Sequence, residues 1–360
     1  MPYIVYTMTQ AHLATLSTLA NKAEKTANRS PQEVEMTISG SPISSFFIVL
    51  VALVGILIFW MSNSYTSILI ISGALWISYR LSMGSSSDPY GLFHLALNRL
   101  PGQDPTKPPL TEWLNMGFWK DTDIFPQACR ALALKLIQAT GCKRGDRVLD
   151  VGYGTGESLL LLLSDSLIRP SSLTGITSLP HHHHRAQDRV RRFQKSLEEP
   201  GIEVSLHAYD AIYHPTTVGH PLDPATAQFF DVILALDCAY HFNTRKMFLH
   251  QSFEKLAPGG RIGLADICFD PSIGSRAWLV SSLIRVIPKY NLTSIRNYGL
   301  DMKEVGYVDI ELNDITEDVF PGFIRFLKSR GWRWAAFGTL LQWYVNSGAR
   351  FVIVCGSRTL

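Results

Sequence analysis

Cysteine is scarce and badly spaced for cross-links. The five residues, Cys129, Cys142, Cys238, Cys268 and Cys355, form an odd set without a CxxC pair. That excludes a disulfide framework and a CxxC zinc site, and it makes a reducing compartment the default. An excess of one charge is also missing, since 33 Lys and Arg face 30 Asp and Glu, a net +3. A net charge this small does not argue for nucleic acid as a partner. There is no internal repeat. A phosphate-binding GxxxxGK[ST] loop is lacking as well.

Charge of either sign disappears from Pro42 until Arg80. Two apolar runs, 43–61 and 65–81, flank the polar break Ser62-Asn63-Ser64. Each is close to the roughly 20 residues that cross a bilayer as a helix. A secretory signal fits badly, because forty polar residues precede the run and a second run follows it. The stretch is either a transmembrane helical hairpin or a buried hairpin of a soluble protein, and long uncharged helices favour the first. A hairpin puts both ends in one compartment. Lys22, Lys25, Arg29 and Arg80 flank it while the turn has no Lys or Arg, which places the ends in the cytosol. The expected location is therefore the endoplasmic reticulum or another intracellular membrane, with a cytosolic catalytic domain. The Asn291-Leu292-Thr293 sequon would then be idle.

Beyond Gly102 helical and strand patterns alternate. Residues 126–141 carry apolar residues at helical spacing and end on Gly141. Arg147 to Val151 read as a strand, followed by Gly152-Tyr153-Gly154-Thr155-Gly156 and the apolar helix ESLLLLLSDSL. Strand, glycine turn and helix open a nucleotide-binding α/β sheet, with main-chain N–H groups at a helix start. The dinucleotide fingerprint GxGxxG fails, because its last glycine falls on Glu157. Asp150 would repel a pyrophosphate but suits a ligand carrying an ammonium and a sulfonium. The resulting D-x-G-x-G-x-G resembles motif I of the class I S-adenosylmethionine-dependent methyltransferases.

Further elements follow in that family's order. Phe229 to Asp237 resembles the fourth strand, and Phe253 to Ile262 the helix, PGG turn and fifth strand. Ile202 to Asp210, then Ala211, resembles the third strand with its adenine-facing acid. Leu114-Asn115-Met116-Gly117-Phe118-Trp119 is similar to the "LNxGYW" element that covers the cofactor. Val305 to Ile310 and Ala349 to Cys355 resemble the last two strands. The resemblance implies a Rossmann-like, doubly wound seven-stranded sheet with an antiparallel last strand. The chain would then divide into a polar tail (1–40), the transmembrane hairpin (41–82), a linker and covering segment (83–125), and the methyltransferase domain (126–360), whose acceptor-pocket and lid segments run from about 270 to 348. It also implies S-adenosylmethionine as cofactor, held by Asp150, Gly152, Gly154, Gly156, Asp210, Ala211, Asp237 and Trp119. The second strand departs from the pattern: it reads Leu173 to Ser178 without the ribose-binding acid, leaving Thr177 and Ser178 for the ribose.

Methyl transfer from a sulfonium needs alignment and, for a hydroxyl acceptor, a base. His241 and Asp266 follow the fourth and fifth strands and resemble the catalytic pair of some natural-product sugar O-methyltransferases. His241 could instead line the cofactor pocket, and Asp266 could cap the next segment. Tyr240 could stack on an acceptor cation if an amine were methylated. Trp278, Tyr290 and Tyr298 are candidates for the acceptor pocket or for the core. Residues 320–345 mix aromatics with cations, as an interfacial helix does, or as an ordinary connecting helix with exposed cations does. The expected function is O-methylation of a small, lipophilic, membrane-dissolved acceptor, with N-methylation of a lipid-like amine second and a non-catalytic binding scaffold third. The run His181–His184 opens the helix after the second strand, with Ser178 as N-cap and Pro180 in the first turn. Four consecutive side chains fan around a helix, so they mark a helix start beside the cofactor and not a metal site.

Overall fold

The computed structural model describes residues 92–359 apart from 105, 197–201 and 270–286. The polar tail, the apolar runs at 43–81 and Trp278 lie outside the described residues. Among the described residues, no helix is long and apolar enough to cross a membrane.

Seven strands form one sheet: β1 (Arg147–Val151), β2 (Ser172–Ile176), β3 (Glu203–His207), β4 (Phe230–Leu236), β5 (Leu256–Phe269), β6 (Val308–Asp314) and β7 (Ala349–Ser357), in the order β3-β2-β1-β4-β5-β7-β6. β1 pairs in parallel with β2 and β4, and β4 with β5, whereas β7 runs antiparallel between β5 and β6. This is the expected doubly wound architecture. The order reverses between β1 and β4, and in such sheets ligands bind in the crevice beyond the carboxyl ends at that reversal. Val151 pairs with Ala235 and Leu236 with Ala265, so Asp150, Asp237 and Asp266 converge on that edge.

The helices are α1 (Phe125–Ala139), α2 (Glu157–Ser164), α3 (Pro180–Lys195), α4 (Arg245–Lys255), α5 (Ile295–Val305), α6 (Thr316–Lys328) and α7 (Trp332–Asn346). α1 shows why the pattern folds: Ala128, Leu132 and Leu136, with Cys129, Ala133 and Ile137, make one buried stripe at spacings of four. Each leucine so buried contributes about 1.5–3 kcal/mol. Central strand β1 is buried from Val148 to Val151, as a strand covered on both faces must be.

Three boundaries differ from the sequence reading. The N-cap of α3 is Leu179, without a side-chain cap, and not Ser178; Pro180 takes the first helical position, where a missing N–H costs nothing. β5 begins already at Leu256, which pairs with Phe230, and the chain then bulges through the PGG segment before Arg261 meets Val232. The sixth strand starts at Val308, because Val305 still belongs to α5 and Gly306 ends that helix at φ +116°.

Candidate active site

The glycine loop leaves β1 through Gly152, whose N–H donates to the Ile176 carbonyl at 2.7 Å. Gly152 has φ +83°, and a Cβ there would meet Cys238 Sγ at 2.5 Å. Only glycine satisfies both demands. Gly156, at φ +91°, caps α2 and presses against Ala186 of α3. The glycines thus bring three elements together at the reversal point. Tyr153, between them, shares a 2.8 Å hydrogen bond with His183 Nδ1.

Two carboxylates stand at the strand ends, Asp150 near the end of β1 and Asp237 just past β4. Asp150 is buried and accepts a 2.5 Å hydrogen bond from Ser158; burial lifts it to about 6 against that bond. Asp237 follows β4 at φ +56°, a left-handed conformation that Asp tolerates better than most residues. Its Oδ2 accepts the Met116 N–H at 2.7 Å, while its Oδ1 is buried without a hydrogen-bond partner. Burial pushes Asp237 to about 8, against the Met116 amide and the Tyr240 hydroxyl and with the Asp266 charge adding to the rise. Among the described residues, neither carboxylate has an ion pair. An ammonium and a sulfonium are the charges such a pair of acids is short of, so this donor set fits S-adenosylmethionine.

The covering segment is tied down at several points. Beyond the Met116 bond, the Trp119 indole donates to the Met116 carbonyl at 2.8 Å, and its ring packs within 5.2–6.4 Å of Phe125, Phe323 and Phe326. Trp119 is therefore core that shapes the cover, and it reaches the site through Met116. Upstream, Glu112 pairs with Arg185 Nε at 2.5 Å and lies 3.7 Å from Arg189, which also pairs with Glu157 and donates to the Thr155 carbonyl. Thr155 in turn donates to the Glu112 carbonyl. The sequence reading missed this latch. Its signal lies four and eight residues after His181: the polar chemistry of the histidine stretch resides in Arg185 and Arg189.

The remaining cofactor candidates surround the loop. Thr177 is buried, with its N–H on the His207 carbonyl, and Ser178 is exposed. Asp210 is exposed and folds over the Ile212 N–H at 2.9 Å, beside buried Ala211. His207, Tyr209 and His220 stack in sequence at 5.4 and 5.5 Å. The four histidines fan as the helix requires: His182 is buried, His183 meets Tyr153, and burial lowers His183 below its ordinary value.

His241 ends a short 3-10 turn, Ala239–His241, and lies four residues past Asp237. It is solvent-exposed, yet the protein around it pulls the imidazole down to about 4, with Asp266 opposing. The ring therefore touches solvent while protein surrounds part of it. Its ring lies 4.2 Å from that of Tyr240, which is itself buried.

Asp266 is fully buried. Its Oδ2 lies 2.7 Å from Arg245 Nε and accepts the Tyr298 hydroxyl at 2.9 Å, while Oδ1 accepts the Ile267 N–H. Tyr298 is therefore core, in contact with Arg245 and Asp266, and Tyr290 is exposed. The second overlooked residue is Asn291. Its buried Nδ2 donates to the carbonyls of Tyr240 at 3.0 Å and Phe242 at 2.6 Å, the neighbours of His241 on either side. Its Oδ1 accepts the Arg245 N–H, and its carbonyl accepts Arg245 Nη1. The sequon asparagine is thus a buried clamp. Only its long-range partners reveal this.

Residues 121–312, more than half of the chain, match a family described as a methyltransferase domain. Erythromycin 3''-O-methyltransferase of Saccharopolyspora erythraea is 27% identical over 59% of this chain and 68% of its own length. Phosphoethanolamine N-methyltransferase 1 of Arabidopsis thaliana is 30% identical over 54% of this chain but only 34% of its own length. In structure the chain resembles the [4+2]-cyclase SpnF, with a TM-score of 0.52 and 18% identity over 69% of this chain and 88% of that one. A cyclase on this fold is a reminder that architecture does not fix the reaction. The family match and the paired carboxylates at the strand reversal do fix the class, and the chain belongs to the class I S-adenosylmethionine-dependent methyltransferases.

Proposed function

We propose that this protein is a membrane-tethered O-methyltransferase that acts on a hydroxyl of a small, lipophilic acceptor, with His241 as the base. The supporting observation is the placement of His241: it stands solvent-exposed in the turn that follows β4, four residues after Asp237, and Asn291 holds the backbone on both sides of it.

When bound, S-adenosylmethionine supplies a methyl group already activated on sulfur. Asp150 and Asp237 would answer its positive charges, the Gly152–Gly156 loop would lie against it, and Asp210, Ala211, Thr177 and Ser178 would meet its nucleoside end. The segment from Glu112 to Trp119 covers the site and keeps water out. What remains for the protein is alignment and proton removal. An imidazole held near 4 is neutral at physiological pH and ready to accept a proton. It is a weak base, but an attacking hydroxyl becomes strongly acidic as its oxygen takes on the methyl, so a weak base placed there suffices. Asp266 acts from beneath, favouring the protonated imidazole by its charge while it holds Arg245.

An amine acceptor is the second reading, with the plant N-methyltransferase likeness in its favour. The buried ring of Tyr240 works against it, since an exposed aromatic face would be needed to hold a cation. The tether itself is read from the uncharged runs at 43–81. The test is a methylated-product screen with labelled S-adenosylmethionine and a membrane lipid extract. Label in ether-linked products supports the proposal, and label confined to amines replaces it with the second reading.

A further inference from the structure

Among the described residues, the outer face of α7 carries a run of exposed apolar side chains that the proposed reaction leaves unused. Trp332, Ala336, Leu340 and Trp343 recur at spacings of four, four and three and are all exposed, with Phe337 beside them. Trp332 is 77% exposed and Trp343 49%, values that a soluble surface rarely gives tryptophan. The opposite face, with Gly338, Leu341 and Tyr344, packs inward. α7 is therefore amphipathic in an unusual sense, apolar on its core side and aromatic on its outer side.

Charge selects the partner. After Asp318 the chain contains no Asp or Glu, while Arg325, Lys328, Arg330, Arg333, Arg350 and Arg358 are all basic. Arg325 is answered by Asp123 at 2.8 Å. Lys328, Arg330 and Arg333 are exposed around the turn from α6 into α7, and Arg330 and Arg333 lie over the rings of Phe326 and Trp332. A second copy of this face would bring the same cations and no acid to meet them. Tryptophan beside arginine, with leucine and phenylalanine further along the helix, suits the boundary between lipid headgroups and acyl chains.

Position adds a reason for such a surface. α7 leads directly into β7, whose Ala349 pairs with Phe269 of β5, three residues past Asp266. Tyr344 packs on Phe269 with ring centroids 5.8 Å apart. α7 thus ends beside the carboxyl edge of the sheet, the side on which ligands of such sheets bind.

We propose that the outer face of α7, together with the Lys328–Arg333 corner, docks on an anionic lipid surface and holds the acceptor entrance against it. This extends the membrane reading above and rests on it only for the acceptor's route, since the docking surface stands on α7 itself.

The test reconstitutes the full chain on phosphatidylcholine vesicles with and without phosphatidylserine and measures tryptophan quenching by brominated lipid. The signal of α7 is the difference between the wild type and Trp332→Phe/Trp343→Phe. The proposal expects this difference to be quenched by brominated lipid and to become shielded from aqueous acrylamide when vesicles are added. It also expects Arg330→Gln/Arg333→Gln to lose the dependence on phosphatidylserine. A difference signal that acrylamide still reaches on vesicles would overturn it, because the face then stays in water. A signal already shielded without vesicles would also overturn it, because a second copy or residues 1–91 then cover the face. Resistance of the protein to alkaline extraction separately reports the tether at 43–81, so either idea can fail alone.

Discussion

The side-chain amide of Asn291 donates to the carbonyl of Phe242 at 2.6 Å, and the same nitrogen reaches Tyr240 on the other side of His241. A residue 50 positions beyond the turn thereby fixes the backbone from which the proposed base projects. Four hydrogen bonds converge on this asparagine. Asn291→Ala leaves two buried carbonyls and the Arg245 N–H without their partner, at a cost of about 1–3 kcal/mol each where water cannot replace it. The expected outcome is a lowered melting temperature and a fall in kcat of ten-fold or more, with the KM for S-adenosylmethionine unchanged. A variant that loses stability but retains kcat would show a purely structural clamp.

Asp266 and Arg245 form a pair with both side chains at 5% exposure or less. Removing one charge from such a pair strands the other, so Asp266→Asn is expected to cost about 3–5 kcal/mol, read by chemical denaturation. The Asp266 charge also supports the His241 proton, so its loss moves the acid limb of kcat further down in pH. In the wild type that limb, at saturating cofactor, falls well below the ordinary imidazole value of about 6.5, toward the value of about 4. His241 must be neutral to act, and desolvation by the surrounding protein favours neutrality, so activity persists as the pH drops from neutrality and is lost only as the imidazole charges. A limb at 6.5 would mean that the working base is not this desolvated imidazole.

With Asp237 as a cofactor ligand, as proposed, binding is expected to depend on pH in the opposite range. With its carboxyl raised to about 8, it is largely protonated at neutral pH, and a cationic ligand favours the ionised form. Binding therefore expels a proton, and affinity rises with pH until it levels off above about 8. Calorimetry in buffers of different ionisation enthalpy measures the released proton directly. Asp237→Asn is expected to weaken binding and to abolish the release; proton uptake in the wild type would contradict this account.

The Glu112 ion pairs are expected to govern cofactor release more than the chemistry. Glu112→Gln weakens its ties to Arg185 and Arg189, of which Arg185 is partly exposed and contributes less for that reason. The expected result is faster cofactor release with a nearly unchanged kcat at saturation, seen by stopped-flow displacement.

Much of the fold was legible in the sequence because it rests on local signals. The apolar stripe of α1, the Asp150–Gly156 turn and the strands of the central sheet each declare themselves within ten residues. The boundaries that moved, at Leu179, Leu256 and Val308, are those where pairing with a distant strand or the fit of a proline decided the outcome. The pattern of apolar runs put Asp150 at the end of β1 and Asp237 and His241 just past β4, and the structure has them at those positions. Asn291, Arg185 and Arg189 were not legible, since nothing near them in sequence shows that Phe242 or Glu112 will be the partner. Trp119 and Tyr298 carried the opposite lesson. Aromatic residues next to a site in sequence turned out to build the floor and walls behind it.

The most direct test of the central claim compares wild type with His241→Ala, measuring S-adenosylmethionine affinity by calorimetry and methyl transfer into a membrane lipid extract by mass spectrometry. The account predicts unchanged cofactor affinity and a loss of O-methylated product of about 10²-fold or more. A His241→Ala protein that binds the cofactor and methylates hydroxyl acceptors at the full rate would contradict it.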